Sequence, residues 1–277
     1  MDKRFAGCLE KLRQDSLLST SCEAVIVVGS AARGWANEAS DYDIWLVSLD
    51  QRQGRTGTEL HVPLDPPSVP TEITYSAGRR WELKYWLDAQ VDQMFRKVAW
   101  DRYSHALIAG QLLTDTEEIF LDHLVTAVPL LGEDWLKRRQ RELEESAFRA
   151  FVVTRSLAWA DDSIEDAVGQ LAAGDLESSV LSTIKAFDHT IDALLESAGE
   201  YGYYAPKWRA RRFRAANPDA ISMADYWAIE TMRDLDISAP GKWVESVITL
   251  CRNLAMGIEV PAHGVIPEGG FPGEYSR

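Results

Sequence analysis

Apolar residues recur at helical intervals near the start of the chain, at Phe5, Cys8, Leu9, Leu12, Leu17 and Leu18, and stop before Ser19-Thr20-Ser21. An opening helix is expected there. Two short apolar runs follow, Ala24 to Val28 and Asp43 to Val47, the first ended by Gly29. Their length and β-branched content predict buried strands. Between Asp50 and Pro70 the chain is rich in Gln, Gly, Arg and Pro, so a loop without regular structure is expected. Thr71 to Tyr75 and Arg80 to Trp86 then alternate around Ser76-Ala77-Gly78-Arg79, which predicts a hairpin with Glu82, Lys84 and Trp86 on one face. From about Asp88 onward the rhythm is helical with hardly a strand candidate, most clearly over 134–171 and 176–198. The tail from Pro261, rich in Gly and Pro, is expected to fray or wrap. The pattern divides the chain into an α/β part, residues 1–125, and a helical part, residues 126–277.

Composition supports a folded two-domain protein. The chain has 277 residues, 46% hydrophobic and 26% charged, enough for two modest cores and unlike a disordered profile. Cys8, Cys22 and Cys251 form no CxxC pair, which predicts neither a disulfide framework nor a zinc site. The first ten residues hold no continuous apolar core and no window approaches about 18 apolar residues, so a cytoplasmic protein with no membrane partner is expected. A net charge of −14 argues against a nucleic-acid partner, whose phosphates require a basic surface. A small or cationic acceptor fits that charge better.

The segment Val27-Val28-Gly29-Ser30-Ala31-Ala32-Arg33-Gly34, followed by Ser40-Asp41-Tyr42-Asp43-Ile44, carries the candidate chemistry. Alternation along a strand turns Asp41 and Asp43 to one side and Tyr42 to the other. Two carboxylates so placed repel unless a cation lies between them, and Mg²⁺, which prefers oxygen ligands and is commonly shared between carboxylates and nucleotide phosphates, is the natural occupant. Gly29 and Ser30 supply backbone N–H groups and a hydroxyl suited to cradling a triphosphate, and Arg33 adds a candidate charge-assisted contact.

This Gly-Ser to Asp-x-Asp pattern resembles the signature of the DNA polymerase β-like nucleotidyltransferase superfamily, as found in aminoglycoside and other antibiotic nucleotidyltransferases. The resemblance covers roughly residues 20 to 90. It implies an α+β fold: an N-terminal nucleotidyltransferase domain with a small mixed β-sheet and flanking helices, followed by an α-helical bundle that binds the substrate. It also implies a third carboxylate on a neighbouring strand that completes the metal site and serves as general base; Glu82 resembles it, with Glu72 as the rival. The implied reaction is a two-metal (two Mg²⁺) transfer of a nucleoside monophosphate, with ATP as donor, to a hydroxyl of a small acceptor such as an antibiotic or natural-product intermediate. Relatives that act on a protein or an RNA end, in the manner of toxin and antitoxin members, are the alternative, ahead of a non-catalytic nucleotide-binding module. Relatives build their sites within one chain or between two, so monomer and homodimer both remain open.

The helical half has no motif of equal strength. Tyr203 to Arg212 gathers basic and aromatic residues, from which Lys207 and Arg209 are candidates for holding the triphosphate, with Tyr204 nearby; the competing reading is a solvated basic helix face. Asp161, Asp162, Glu165 and Asp166 read as a solvated acidic face. Most of the ten tryptophans are expected to pack in cores, with Trp35 and Trp86 as candidates for stacking on a base or ring. The five histidines show no ligand spacing and receive no role.

Overall fold

The computed structural model of the protein describes residues 2–51, 57–106 and 112–263. The chain is α+β and divides into two compact units, the change falling between Ser146 and Ala147.

The first unit is built on a six-stranded mixed sheet of β1 (Cys22–Val28), β2 (Tyr42–Ser48), β3 (Thr58–His61), β4 (Ser68–Ser76), β5 (Arg79–Leu87) and β6 (Val128–Leu131), in the order β3-β4-β5-β2-β1-β6. The two apolar runs form its centre as β1 (Cys22–Val28) and β2 (Tyr42–Ser48), antiparallel to each other, with Val25 to Val27 and Ile44 to Val47 buried. Strands this apolar on consecutive positions have to be covered on both faces. One face receives α1 (Cys8–Gln14), whose Leu9 and Leu12 pack with Phe5, Val25, Val27, Ile44, Leu46 and Leu83. The other receives α5 (Asp115–Thr126), whose Phe120 ring stacks on Trp45 at 4.8 Å and meets Trp86 edge-on at 4.7 Å. The opening helix is shorter than its periodicity suggests, because Gly7 at φ 82° and Ser16 at φ 56° break the backbone on either side of it.

The hairpin forms as expected, from β4 (Ser68–Ser76) and β5 (Arg79–Leu87), with Ala77 and Gly78 both at positive φ in its two-residue turn. The region expected to be a loop is only partly one. β3 (Thr58–His61) pairs with β4 and extends the sheet to that edge, and β4 begins at Ser68. Pro70 is tolerated because β4 pairs with β5 only from Thr71 on, so its missing N–H takes no bond from that ladder.

After β5 come α2's successors in the sheet's cover: α2 (Gly29–Ala32) itself follows β1, α3 (Asp88–Lys97) and α4 (Trp100–His105) follow β5, and α6 (Glu133–Glu145) closes the unit. Between α5 and α6 lies β6 (Val128–Leu131), antiparallel to β1. The expected boundary at 125/126 therefore falls too early. Four residues containing Pro129 look like a breaker in sequence, yet an edge position leaves one side of the strand without a ladder to complete. Buried Arg139 fastens α6 to α3 through Asp88 and Asp92, each at 2.6 Å, and Trp135 donates to Asp88 at 2.8 Å.

The second unit is helical throughout its described residues. α7 (Phe148–Ala173) and α8 (Leu176–Ser197) pack along one another, joined at Gly174 in the left-handed conformation. α9 (Arg209–Ala216), α10 (Met223–Glu230) and α11 (Gly241–Met256) complete a core of Phe187, Ile191, Phe213, Tyr226, Val244 and Ile248. The tail from 264 lies outside the described residues. No helix is long and apolar enough to cross a membrane among the described residues, and all three cysteines are free thiols.

Candidate functional site

β1 stops at Gly29, whose φ is 67°. That conformation is costly for any residue with a Cβ, and space is tight as well: a Cβ here would stand 3.0 Å from Asp43 Oδ2 and in contact with His123 Nε2 at 3.6 Å, so the Asp43 carboxylate would have to shift. Glycine lets the turn close down on the Asp43 carboxylate. The Ser30 carbonyl then accepts from the backbone N–H groups of Trp35 at 2.8 Å and Ala36 at 3.1 Å, which ties back the loop that leads to Asp41.

Asp43 lies at the start of β2, in register with Glu82 on the parallel neighbour β5. Residues in register point to the same face, so the two carboxylates share the α5 side of the sheet. Asp41 joins them through Arg80, which donates to Asp41 Oδ2 at 2.7 Å and to Glu82 Oε2 at 3.4 Å. Lys84 Nζ stands 3.3 Å from Glu82 Oε1. Burial, reinforced by the charges of Asp41 and Glu82, pushes the Asp43 carboxyl up to about 6, against the pull of Lys84 and Arg80. Three carboxylates and two cations thus occupy one patch, with negative charge in excess.

Glu72 belongs elsewhere. It pairs with Leu83, and its carboxylate accepts from the Tyr85 hydroxyl at 3.3 Å. Leu83 and Tyr85 are part of the core on the α1 side, so Glu72 and Glu82 project from opposite faces of the hairpin.

His123, given no role by its spacing in sequence, lines the floor of this patch from α5. Its Nδ1 lies 2.7 Å from the Ile119 carbonyl, an acceptor only, so Nδ1 carries the proton and Nε2 is the edge near Gly29. Burial holds its pKa below the ordinary value, against the pull of Asp122. Arg33 packs over the Trp35 ring at 4.8 Å and stands 3.8 Å from Asp122 Oδ1. Trp86 is part of the buried core with Trp45 and Phe120, which leaves no ring face for a ligand.

The donor set suits a hard divalent cation: three carboxylates, with Asp43 and Glu82 in register and like charges unbalanced at the buried one. Among the described residues no three acidic, histidine or cysteine side chains converge as they stand on a single metal position. The Arg80 guanidinium takes up an oxygen each from Asp41 and Glu82.

The basic segment of the helical unit splits. Lys207 is exposed and lies over the Trp208 ring at 5.6 Å. Arg209 is buried and spent on Asp188 at 2.7 Å, Asp192 at 3.1 Å and Glu230 at 3.4 Å. Tyr204 meets Tyr203 edge-on.

No protein-family model matches the chain, and no curated protein matches it. Among solved structures it is similar to a nucleotidyltransferase-like protein from Exiguobacterium sibiricum 255-15, with a TM-score of 0.51 and 9% sequence identity, covering 92% of this chain and 75% of that chain. At that identity the likeness is one of fold, and the fold of this chain is nucleotidyltransferase-like.

Proposed function

We propose that the protein is a Mg²⁺-dependent nucleotidyltransferase that moves a nucleoside monophosphate from a nucleoside triphosphate, ATP by resemblance, to a hydroxyl of a small acceptor, with release of pyrophosphate. The observation that carries the reading is the register of Asp43 with Glu82 beside a turn at Gly29 whose positive φ and close approach to Asp43 favour glycine. An antibiotic or natural-product intermediate with cationic groups is the acceptor class that suits a chain of net charge −14.

In this reading Asp41, Asp43 and Glu82 hold the divalent ions, which when bound stabilise negative charge on the phosphates. Asp43 is the anchor: it is half-buried at the glycine turn, where burial and the charges of Asp41 and Glu82 disfavour its ionised form, a penalty that a bound cation would offset. Glu82, half-exposed and at the mouth of the patch, accepts the proton of the acceptor hydroxyl as it attacks the α-phosphorus. The turn at Gly29 and Ser30 orients the β and γ phosphates with its backbone N–H groups. Arg209, already holding three carboxylates within the helical unit, is not assigned to phosphate.

The test is pyrophosphate release from each of the four nucleoside triphosphates with Mg²⁺ across a panel of hydroxyl-bearing acceptors, for wild type and Asp43→Asn. Release that needs an acceptor and is lost in the variant supports the reading. A wild type that binds no nucleoside triphosphate overturns it.

A further inference from the structure

Arg80 occupies an unusual place for a cation in a site that would use metal. It projects from β5 on the same face as Glu82 and Lys84, and its guanidinium reaches across to Asp41 at the entry of β2. Without Arg80 the Asp41 carboxylate and the Glu82 carboxylate would lose the cation they share. Arg80 and Lys84 bring two positive charges against three negative ones on this patch. A divalent ion and Arg80 both need oxygens of Asp41 and Glu82, so they compete for the same ligands.

We propose that Arg80 is an alternating counterion, which bridges Asp41 and Glu82 and, when a divalent cation takes those carboxylates, turns its guanidinium onto the phosphates of the incoming nucleotide. The inference rests on the nucleotidyltransferase reading above. Its chemistry follows from the side chain. Arg80 is about two-fifths exposed, and its contacts to Asp41 and Glu82 are made by the tip of a long stem that can swing outward. A planar guanidinium released from two carboxylates finds in a triphosphate the same bidentate geometry. The consequence is an order of loading: Arg80 opposes free metal and yields to metal that arrives with the triphosphate, whose negative charge gives Arg80 a second partner. Lys84, whose ion pair among the described residues is with Glu82, does not link two carboxylates in this way.

The experiment uses the full chain. Wild type, Arg80→Ala and Arg80→Lys are titrated with Mn²⁺ alone, and bound ion is read from loss of the free Mn²⁺ paramagnetic resonance signal; the titration is repeated with a non-hydrolysable ATP analogue. Two half-exposed ion pairs correspond to roughly threefold to tenfold in affinity. Arg80→Ala is therefore expected to bind Mn²⁺ alone more tightly than wild type by that factor, with Arg80→Lys between them, and to gain less from the nucleotide than wild type does. Equal Mn²⁺ affinity in wild type and Arg80→Ala overturns the competition. Undiminished nucleotide enhancement in Arg80→Ala overturns the transfer to phosphate. If no form binds Mn²⁺ with or without nucleotide, both this inference and the functional reading fall, whereas Mn²⁺ binding that is equal in wild type and Arg80→Ala but lost in Asp43→Asn removes this inference alone.

Discussion

The protein contains two clusters built from the same kinds of side chain, and they are put to opposite uses. In the first unit Asp41, Asp43 and Glu82 meet Arg80 and Lys84 on a patch where Arg80, Asp41 and Glu82 keep 39%, 36% and 29% of their side-chain surface. In the helical unit Asp192 holds Arg209 and Arg212 with side-chain exposures of 2%, 4% and 1%, and Asp188 and Glu230 complete the ring around Arg209. The buried cluster is tied from several sides: both oxygens of Asp192 accept from guanidinium groups, and Arg212 also reaches the Glu200 carbonyl. The open one has a comparably short contact, Arg80 to Asp41 at 2.7 Å, but its members keep access to water. Ion pairing alone does not mark a candidate site. Solvent access beside a glycine turn at positive φ is what singles out the first patch.

The sharpest way to break this contrast is at the open cluster. Glu82→Gln removes the proposed base while keeping its shape, and a loss of roughly 10²- to 10⁴-fold in transfer rate is expected with little change in the urea midpoint. A Glu82→Gln protein that is unfolded, or fully active, would erase the distinction. Asp192→Ala is expected to do the reverse. It leaves two buried guanidinium groups without their shared carboxylate, which costs about 3–5 kcal/mol in urea unfolding. Gly29→Ala should show both effects on a smaller scale, because a left-handed alanine costs roughly 1–2 kcal/mol and its methyl presses on the Asp43 carboxylate at 3.0 Å. Transfer should fall further than stability, read by rate and urea midpoint on the same preparation.

The smallest expected effect is a pH slope. Burial, aided by Glu230 and Asp192 and opposed by Arg209, pushes Asp188 up to about 7. Between the ordinary carboxylate range and pH 7 the unfolded chain has released this proton and the folded chain keeps it, so its contribution to stability is lost as pH rises through that window. The wild type is expected to lose on the order of 1 kcal/mol from this group between pH 5 and 8, and Asp188→Asn, which keeps an oxygen for Arg209, should lack that component. Urea unfolding at the two pH values measures both; identical slopes would show that Asp188 is ionised in the folded protein throughout.

Much of the site could be read in the chain because it is local. Gly29-Ser30 and Asp41-x-Asp43 lie at the ends of two apolar runs whose length and branching announce buried strands, and alternation alone places both aspartates on one side. Arg80, Glu82 and Lys84 also share a face by alternation. Nothing in the sequence gives the register of β5 against β2, so which acid faces Asp43 and which faces Tyr85 was not legible there. His123 illustrates the same limit, since it reaches the glycine turn from a helix some ninety residues later in the chain. β6 was hidden by its shortness and its proline, and the domain boundary moved with it.

By itself, the sequence determined the central strands, the hairpin and the long helices, the order of an α/β part before a helical one, and the residue types available for metal and phosphate. These follow from periodicity and local chemistry, which act over a few residues. The tertiary structure alone decided the pairings: Glu82 rather than Glu72 beside Asp43, Arg80 across to Asp41, and Arg209 withdrawn into a buried ring of carboxylates. Strand register and helix docking are set by packing between distant segments, and the same aspartate or arginine becomes a ligand or a structural tie according to how many partners that packing leaves it.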